Sequence, residues 1–231
     1  MLHFTRSLFF NIFFIIETVI ISLCGYPFYF IDKKYMKNVS KIWSKTTLFG
    51  LKYICDLSYK IEGEIPKEPV LFVSKHQSAF ECLIYLAELD YPKFVLKREL
   101  VRVPFAGLYF ILMDMIVIDR SSVKDAMVKL PLDVKKSIVE DKRSVLLFPE
   151  GTRLKYGEES KCKGAINFIQ KSNDYTKICP IVINTGKFWG KNSFIKRSGV
   201  ATIRFLPPLD VEENYKTINV TIEKIFNESG V

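Results

Sequence analysis

The sequence predicts an α/β domain with a mixed, largely parallel sheet flanked by helices, preceded by an N-terminal pair of membrane-associated helices. Two observations carry this fold class. After residue 57, short apolar and β-branched runs alternate with helix-like stretches. Near the N-terminus stands one long apolar run. We therefore divide the chain into membrane-associated helices at 1–57 and an α/β domain at 58–231.

The first N-terminal helix is predicted over residues 8–31, where Glu17 is the only charged side chain. A helix of this length could cross a bilayer core of roughly 30 Å. A charge near mid-span costs roughly 2.5 to 3.5 kcal/mol, so the sequence leaves open whether the helix spans the membrane or lies in its surface. If it spans, the five lysines between residues 33 and 45 place the rest of the chain in the cytoplasm.

The second N-terminal helix is predicted over residues 38–57, packed against the first. The formal net charge of +9 favours an acidic partner, either nucleic acid or anionic lipid. The apolar N-terminus favours an anionic membrane surface and no nucleic acid. Five cysteines without a C-x-x-C pair indicate reduced thiols, and with two histidines no metal site is expected.

Seven strands and five helices are predicted in the α/β domain. The strands lie at residues 59–63, 70–74, 93–97, 115–119, 144–148, 178–184 and 199–205. The helices lie at residues 78–89, 105–112, 122–141 with a break at Pro131, 163–172 and 210–227.

Three of the buried strands end abruptly in polar residues. His76, Arg120 and the segment Pro-Glu-Gly-Thr-Arg at 149–153 each follow one of them. In a parallel sheet the carboxyl ends of strands share one edge, where ligands bind. If the three strands are parallel neighbours, these residues form a site for an anionic substrate.

His76 and Glu81 are five residues apart, a spacing that on a regular helix would turn the two side chains roughly 140° apart. They can meet only if His76 precedes the helix, for which Ser78 is a suitable N-cap and Glu81 its capping-box partner. The carboxylate would then hold one imidazole nitrogen and leave the other as a base. A structural histidine and a simple helix cap remain the alternative.

The 149–153 segment is suited to binding phosphate. Gly151 permits a close turn, Arg153 offers a guanidinium fork, and Thr152 adds a donor. The alternative is an ordinary tight turn with an ion pair between Glu150 and Arg153.

Four segments together are more specific than any one of them. HQSAFE, VIDR, FPEGTR and ICPIVI, in this order and at these intervals, strongly resemble the four-motif signature of the glycerolipid acyltransferases. The resemblance covers about residues 60–210. It implies a glycerol-3-phosphate acyltransferase-like fold and an enzyme of phospholipid biosynthesis.

The resemblance implies roles for individual residues. His76 would be the general base, and Glu81 stands where the family usually has Asp. The residues implied to bind the glycerol phosphate are Arg120, Glu150, Gly151, Thr152 and Arg153, while Lys163 either supports that binding or is a solvated helix residue. The implied reaction transfers an acyl chain from a thioester, acyl-CoA or acyl carrier protein, to the free hydroxyl of lysophosphatidic acid, without a further cofactor or a metal.

Three alternatives remain open from the sequence. A sister acyltransferase would use glycerol 3-phosphate, a lysophospholipid or an acylated amino acid as acceptor. A serine hydrolase would use Ser74 or Ser78, although no G-x-S-x-G elbow is present. A non-catalytic basic module would bind membranes through anionic headgroup contacts. Its inserting residues would be Phe188, Trp189, Lys191, Phe194, Lys196 and Arg197.

Overall fold

A computed structural model describes residues 1–103, 106–119, 122, 125–172, 177–209 and 217–228. The described helices are α1 (Leu2–Ile31), α2 (Tyr35–Cys55), α3 (Phe80–Glu88), α4 (Ala106–Leu112), α5 (Leu130–Lys135), α6 (Ala165–Ser172) and α7 (Ile218–Glu228). The described strands are β1 (Leu57–Glu62), β2 (Leu71–Ser74), β3 (Lys93–Lys97), β4 (Ile116–Ile118), β5 (Val145–Leu147), β6 (Ile178–Ile183) and β7 (Gly199–Phe205).

The strands form one sheet in the order β1-β7-β6-β2-β5-β3-β4. Every neighbouring pair is parallel except β6 and β7, which are antiparallel. The predicted mixed, largely parallel sheet is therefore confirmed. Because β6, β2, β5, β3 and β4 all run in the same direction, their carboxyl ends share one edge of the sheet.

All seven predicted strands are present, each within two residues of its predicted ends. The expectation that the three strands with polar ends are mutual neighbours is wrong. Strands β2 and β5 are neighbours, but β3 pairs with both β5 and β4 and so separates them. A pattern of apolar residues along one strand does not say which strand lies beside it.

The predicted break at Pro131 is also absent. The helix runs on from a π-helical turn (Asp125–Lys129) through α5 to a second π-helical turn (Lys136–Glu140). Pro131, which has no N–H to donate, lies next to the change from π-helical to α-helical geometry at Leu130. Of the predicted last helix, residues 210–216 lie outside the described part of the chain.

Helix α1 has its polarity inverted relative to a helix of a soluble protein. It buries Ser7, Glu17 and Ser22 against the rest of the molecule, and Glu17 accepts a hydrogen bond from the Thr47 hydroxyl of α2 at 3.0 Å. Its exposed side chains are mostly large and apolar, among them Phe9, Ile12, Ile16, Ile20 and Leu23. Within the described residues it is the one helix long and apolar enough to cross a membrane. This outward apolar face is typical of a segment in contact with lipid.

The two N-terminal helices share an apolar core with the sheet. Phe10 of α1 and Leu51 of α2 belong to the same buried cluster as Phe72 of β2 and Phe80 of α3. After α2, Asp56 adopts a left-handed conformation (φ 55°) and turns the chain directly into β1. The division into two parts at 57/58 stays a prediction.

Candidate active site

The turn between β2 and α3 brings His76 and Glu81 together. Because α3 begins at Phe80, His76 lies before the helix, and its Nδ1 lies 2.8 Å from Oε1 of Glu81. The N-cap of α3 is Ala79, one residue after the predicted Ser78. Ser78 still contacts the first turn: its hydroxyl accepts the Phe80 N–H at 3.1 Å, and its own N–H donates to Glu81 at 2.6 Å. The extra methylene of Glu81, relative to the family's usual Asp, is accommodated by this turn.

Glu81 is fully buried, and its carboxylate accepts four hydrogen bonds. Oε1 accepts from Nδ1 of His76 and from the N–H groups of Gln77 (2.8 Å) and Ser78. Oε2 accepts from the hydroxyl of Thr185 at 2.7 Å. An ionised carboxylate is purely an acceptor, so these four donors suit its charged form. The proton of a neutral His76 is thereby held on Nδ1, and Nε2 keeps its lone pair.

Two neighbours of this pair were missed by the sequence reasoning. Thr185 follows β6 at the same edge of the sheet, a position that could have suggested it. The sequence places Phe148 at the end of a strand, and in the structure its ring stacks on the imidazole of His76 at 3.9 Å between centroids and 18° between planes. The main chain reinforces this contact, because the Leu154 N–H donates to the His76 carbonyl at 2.7 Å. The loop after β5 therefore fixes the imidazole from one side.

That loop makes the tight turn that its glycine predicts. Gly151 has a φ of 69° and donates its N–H to the Phe148 carbonyl at 3.1 Å. Thr152 is exposed and Arg153 is half-buried. Gly151, Thr152 and Arg153 line the same cavity as His76. The structure therefore brings the guanidinium and the imidazole to one cavity.

Glu150 belongs to this loop, but its side chain is buried. It is 2% exposed and accepts a hydrogen bond from the Ser160 hydroxyl at 2.8 Å. Burial raises the pKa of Glu150 to about 7. Glu150 and Arg153, both described by the structure, form no ion pair, so the simple ion-paired turn is not what holds this loop.

Two of the predicted phosphate ligands that the structure describes, Glu150 and Lys163, do not line the cavity. Glu150 is buried, whereas Lys163 is exposed and its N–H donates to the Pro149 carbonyl at 2.9 Å. Arg120 lies outside the described residues. The phosphate-binding roles of these three residues stay predictions. Within the described part of the chain, no group of three His, Cys, Asp or Glu side chains could hold a metal ion.

The cavity has a volume of about 530 Å³ and is lined mainly by apolar side chains. Its walls come from α1, α2, α3, β3 and α4. They include Phe14, Trp43, Leu86, Leu96, Tyr109 and Met113. The polar side chains His76, Thr152, Arg153 and Lys191 also line it, so an apolar volume adjoins a cationic, histidine-bearing region.

A second, more polar cavity of about 410 Å³ adjoins the first. Arg153, Trp189 and Asn192 line both cavities, and the second also contacts Asn11 of α1 and Lys196. Arg153 therefore stands at the boundary between an apolar and a polar volume.

Comparisons with known proteins show the family and the fold of the chain. The family model described as Acyltransferase matches residues 57–184, more than half of the chain. The chain is 30% identical over 172 residues to a 1-acyl-sn-glycerol-3-phosphate acyltransferase of Pseudomonas aeruginosa, covering 74% of this chain and 66% of that protein. It is 32% identical over 165 residues to the enzyme of that name from Borreliella burgdorferi, covering 70% and 63%. The chain thus matches just under two thirds of the length of these relatives.

A solved structure has the same fold. The crystal structure of the 1-acyl-sn-glycerophosphate (LPA) acyltransferase PlsC from Thermotoga maritima superposes with a TM-score of 0.74, covering 98% of this chain and 94% of that chain. At 19% sequence identity, this likeness bears on the fold alone.

We expect Glu81→Ala to lower the free energy of unfolding by at least about 2 kcal/mol, because it leaves buried donors without an acceptor. Glu88→Ala, at an exposed position of the same helix, removes one hydrogen bond with Tyr59 and should cost less than about 1 kcal/mol. Denaturant or thermal unfolding in detergent measures both. Equal losses in the two variants would contradict the buried four-donor arrangement.

Proposed function

The chain belongs to the acyltransferase family, and we propose that it transfers an acyl chain from a thioester to the free hydroxyl of lysophosphatidic acid, giving phosphatidic acid. The observation that carries this proposal is the His76–Glu81 pair, set in an apolar cavity beside Arg153. The acceptor is the one named for the similar bacterial proteins. The donor is acyl-CoA or acyl carrier protein, used as a co-substrate, with no other cofactor.

His76 acts as the general base. Its Nε2 takes the proton of the acceptor hydroxyl while the hydroxyl oxygen attacks the thioester carbonyl. The buried Glu81 carboxylate stabilises the imidazolium that forms. The tetrahedral intermediate then expels the thiolate, which takes the proton from the imidazolium and leaves as a thiol. General-base assistance contributes roughly 10²- to 10⁴-fold, so positioning of the two substrates supplies much of the remaining rate.

The apolar cavity suits an acyl chain. Each methylene that leaves water for such a cavity contributes about 0.8 kcal/mol of binding. Phe14 of α1 and Trp43 of α2 belong to its wall, so the membrane-associated helices complete the binding site. A lipid substrate could reach it without passing through water.

The loop after β5 suits the phosphate of the acceptor. Arg153 offers a charge-assisted, bidentate contact, and the exposed Thr152 hydroxyl adds a neutral donor. Glu150 supports the loop from the interior, since its carboxyl group accepts a hydrogen bond from Ser160. Arg120 and Lys163 complete the phosphate site in this proposal.

The molecule associates with the membrane through the apolar face of α1, with the catalytic domain on the cytoplasmic side and an anionic lipid surface against its lysines. Helix α1 contacts the rest of the chain along most of its length: Ser7 meets Lys196, and the carbonyl of Ser22 accepts a hydrogen bond from Tyr109 of α4 at 3.1 Å. A helix flanked by the catalytic domain in this way favours a position in the membrane surface over an independent span.

The two alternatives of another class fit the geometry less well. Ser74 is buried and shares a 2.6 Å hydrogen bond with the Tyr85 hydroxyl, and Ser78 is 1% exposed, so neither suits a hydrolytic nucleophile. Lys196, which the membrane-binding module would place among lipid headgroups, is buried. A sister acyltransferase remains the nearest rival, and the choice of acceptor separates it from the proposal.

The proposal is tested by thiol release from acyl-CoA with and without lysophosphatidic acid. We expect His76→Ala to lower acceptor-dependent release by about 10²- to 10⁴-fold, because the general base is lost. The chain has one other histidine, His3, which is exposed, and His3→Ala should retain the wild-type rate. Wild-type turnover by His76→Ala would show that the assignment of the base is wrong.

Arg153→Ala should raise the KM for lysophosphatidic acid by about 10- to 100-fold, since a charge-assisted hydrogen bond contributes about 1.5 to 3 kcal/mol. Its discrimination against monoacylglycerol, which lacks the phosphate, should fall by a similar factor. Lys155→Ala, an exposed cation two residues along, is the matched control. If activity on both acceptors fell equally, Arg153 would not be the phosphate ligand.

A further inference from the structure

The β6–β7 loop, residues 184–198, touches the active site at several points. Thr185 donates to Glu81, and the Gly186 N–H donates to the side-chain oxygen of Gln77 at 3.0 Å. Trp189 lines both cavities, and its backbone N–H donates to the Thr185 carbonyl at 3.0 Å. A displacement of this loop would therefore change the walls of both cavities and the partners of Glu81 together.

Near the far end of the loop, Lys196 is buried in a cage of aromatic rings. Its side chain is 2% exposed. The ammonium lies 4.6 Å from the ring centroid of Trp189, 5.2 Å from that of Phe10 and 5.5 Å from that of Phe194. It donates to the side-chain oxygen of Asn11 and, at 3.0 Å, to the Phe194 carbonyl. Phe10 and Asn11 belong to α1, so this one cation joins the loop to the N-terminal helix.

Two further contacts fasten the same stretch to α1. The N–H of Lys196 donates to the Ser7 hydroxyl at 2.8 Å, and the rings of Phe4 and Phe194 lie 5.3 Å apart. Phe4, Ser7 and Asn11 lie about one turn apart along one side of the helix. The loop is thus held against the first turns of α1, and Lys196 is the central contact.

Burying the ammonium group of Lys196 costs folding free energy, because the charge loses its hydration. Burial lowers the pKa of Lys196 to about 8, and none of the carboxylates in the described ranges forms an ion pair with it. An apolar side chain of similar length would fill the same volume without the cost of desolvating a charge. Residues that lower stability in this way are typical of functional positions.

We propose that Lys196 is a positioning residue for acyl transfer, which clamps the β6–β7 loop to α1 and so holds Trp189 and Thr185 in the active site. The proposal rests on the proposed function, since it concerns the same site. Lys196 itself acts through Trp189 and Thr185 and need not touch the reacting atoms. The membrane-associated helix and the His76–Glu81 pair are thereby joined through one loop.

The test compares Lys196→Met with Arg197→Met in the full-length protein. Both changes remove one positive charge from adjacent positions of the loop, but the Arg197 side chain is exposed. Since a displacement of about 1 Å in an active site can cost about 10²-fold, we expect kcat for thiol release to fall by about 10- to 100-fold in Lys196→Met and to stay unchanged in Arg197→Met. The unfolding midpoint of Lys196→Met should stay close to that of the wild type, because the cost of burying a charge is removed while the Asn11 side-chain oxygen and the Phe194 carbonyl lose a donor.

Two further measurements separate positioning from stability. In a Trp43→Phe background Trp189 is the one remaining tryptophan, and its emission maximum should shift in Lys196→Met and not in Arg197→Met. Asn11→Ala, which removes the partner on α1 and leaves Lys196 in place, should lower kcat in the same direction. If Lys196→Met fails to fold, Asn11→Ala still tests the contact between Lys196 and α1.

The outcomes are distinct. Wild-type kcat in both Lys196→Met and Asn11→Ala would overturn the proposal, as would a loss of activity that only parallels a loss of the unfolding midpoint. Equal losses in Lys196→Met and Arg197→Met would also overturn it, because charge alone would then explain them. If the wild type released no thiol with lysophosphatidic acid, the proposed function would fail, whereas the emission shift of Trp189 would still report whether the clamp exists.

Discussion

The buried carboxylate of Glu81 is the constraint on which the rest of the site depends. It has to be satisfied by donors, and these come from two separate parts of the chain: the turn after β2, with His76 at its start, and Thr185 at the end of β6. An unpaired charge at a fully buried position is too costly to persist. The need to satisfy one carboxylate therefore orders the turn, sets the tautomer of His76 and draws the β6–β7 loop to the edge of the sheet.

The N-terminal helices also form part of the active-site cavity. The inverted polarity of α1 places apolar side chains outward and Glu17 and Ser22 inward, where Glu17 accepts a hydrogen bond from Thr47. The carboxyl group of Glu17 therefore faces the protein and not the lipid. The inner side of α1 then serves as a cavity wall through Phe14 and as the anchor of Lys196. Membrane contact and substrate binding therefore use opposite sides of one helix.

Much of this could be predicted from sequence, because it is encoded locally. Apolar runs mark the strands, and the His76–Glu81 spacing requires a histidine ahead of the helix. The failures concern contacts between distant segments. Nothing along β4 says that β3 separates it from β5, and nothing beside Lys196 says that Phe10 of α1 lies against it. The stacking of Phe148 on His76 has the same origin, since it needs β2 and β5 to be neighbours.

The central claim is that Glu81 holds the proton of neutral His76 on Nδ1 and leaves Nε2 free to act as the base. With two histidines in the chain, ¹⁵N-histidine NMR of the detergent-solubilised protein, with His3→Gln for assignment, observes this directly. In the neutral imidazole of His76, we expect a protonated Nδ1 and an unprotonated Nε2. A His76 signal from the opposite tautomer, with the proton on Nε2, would contradict it.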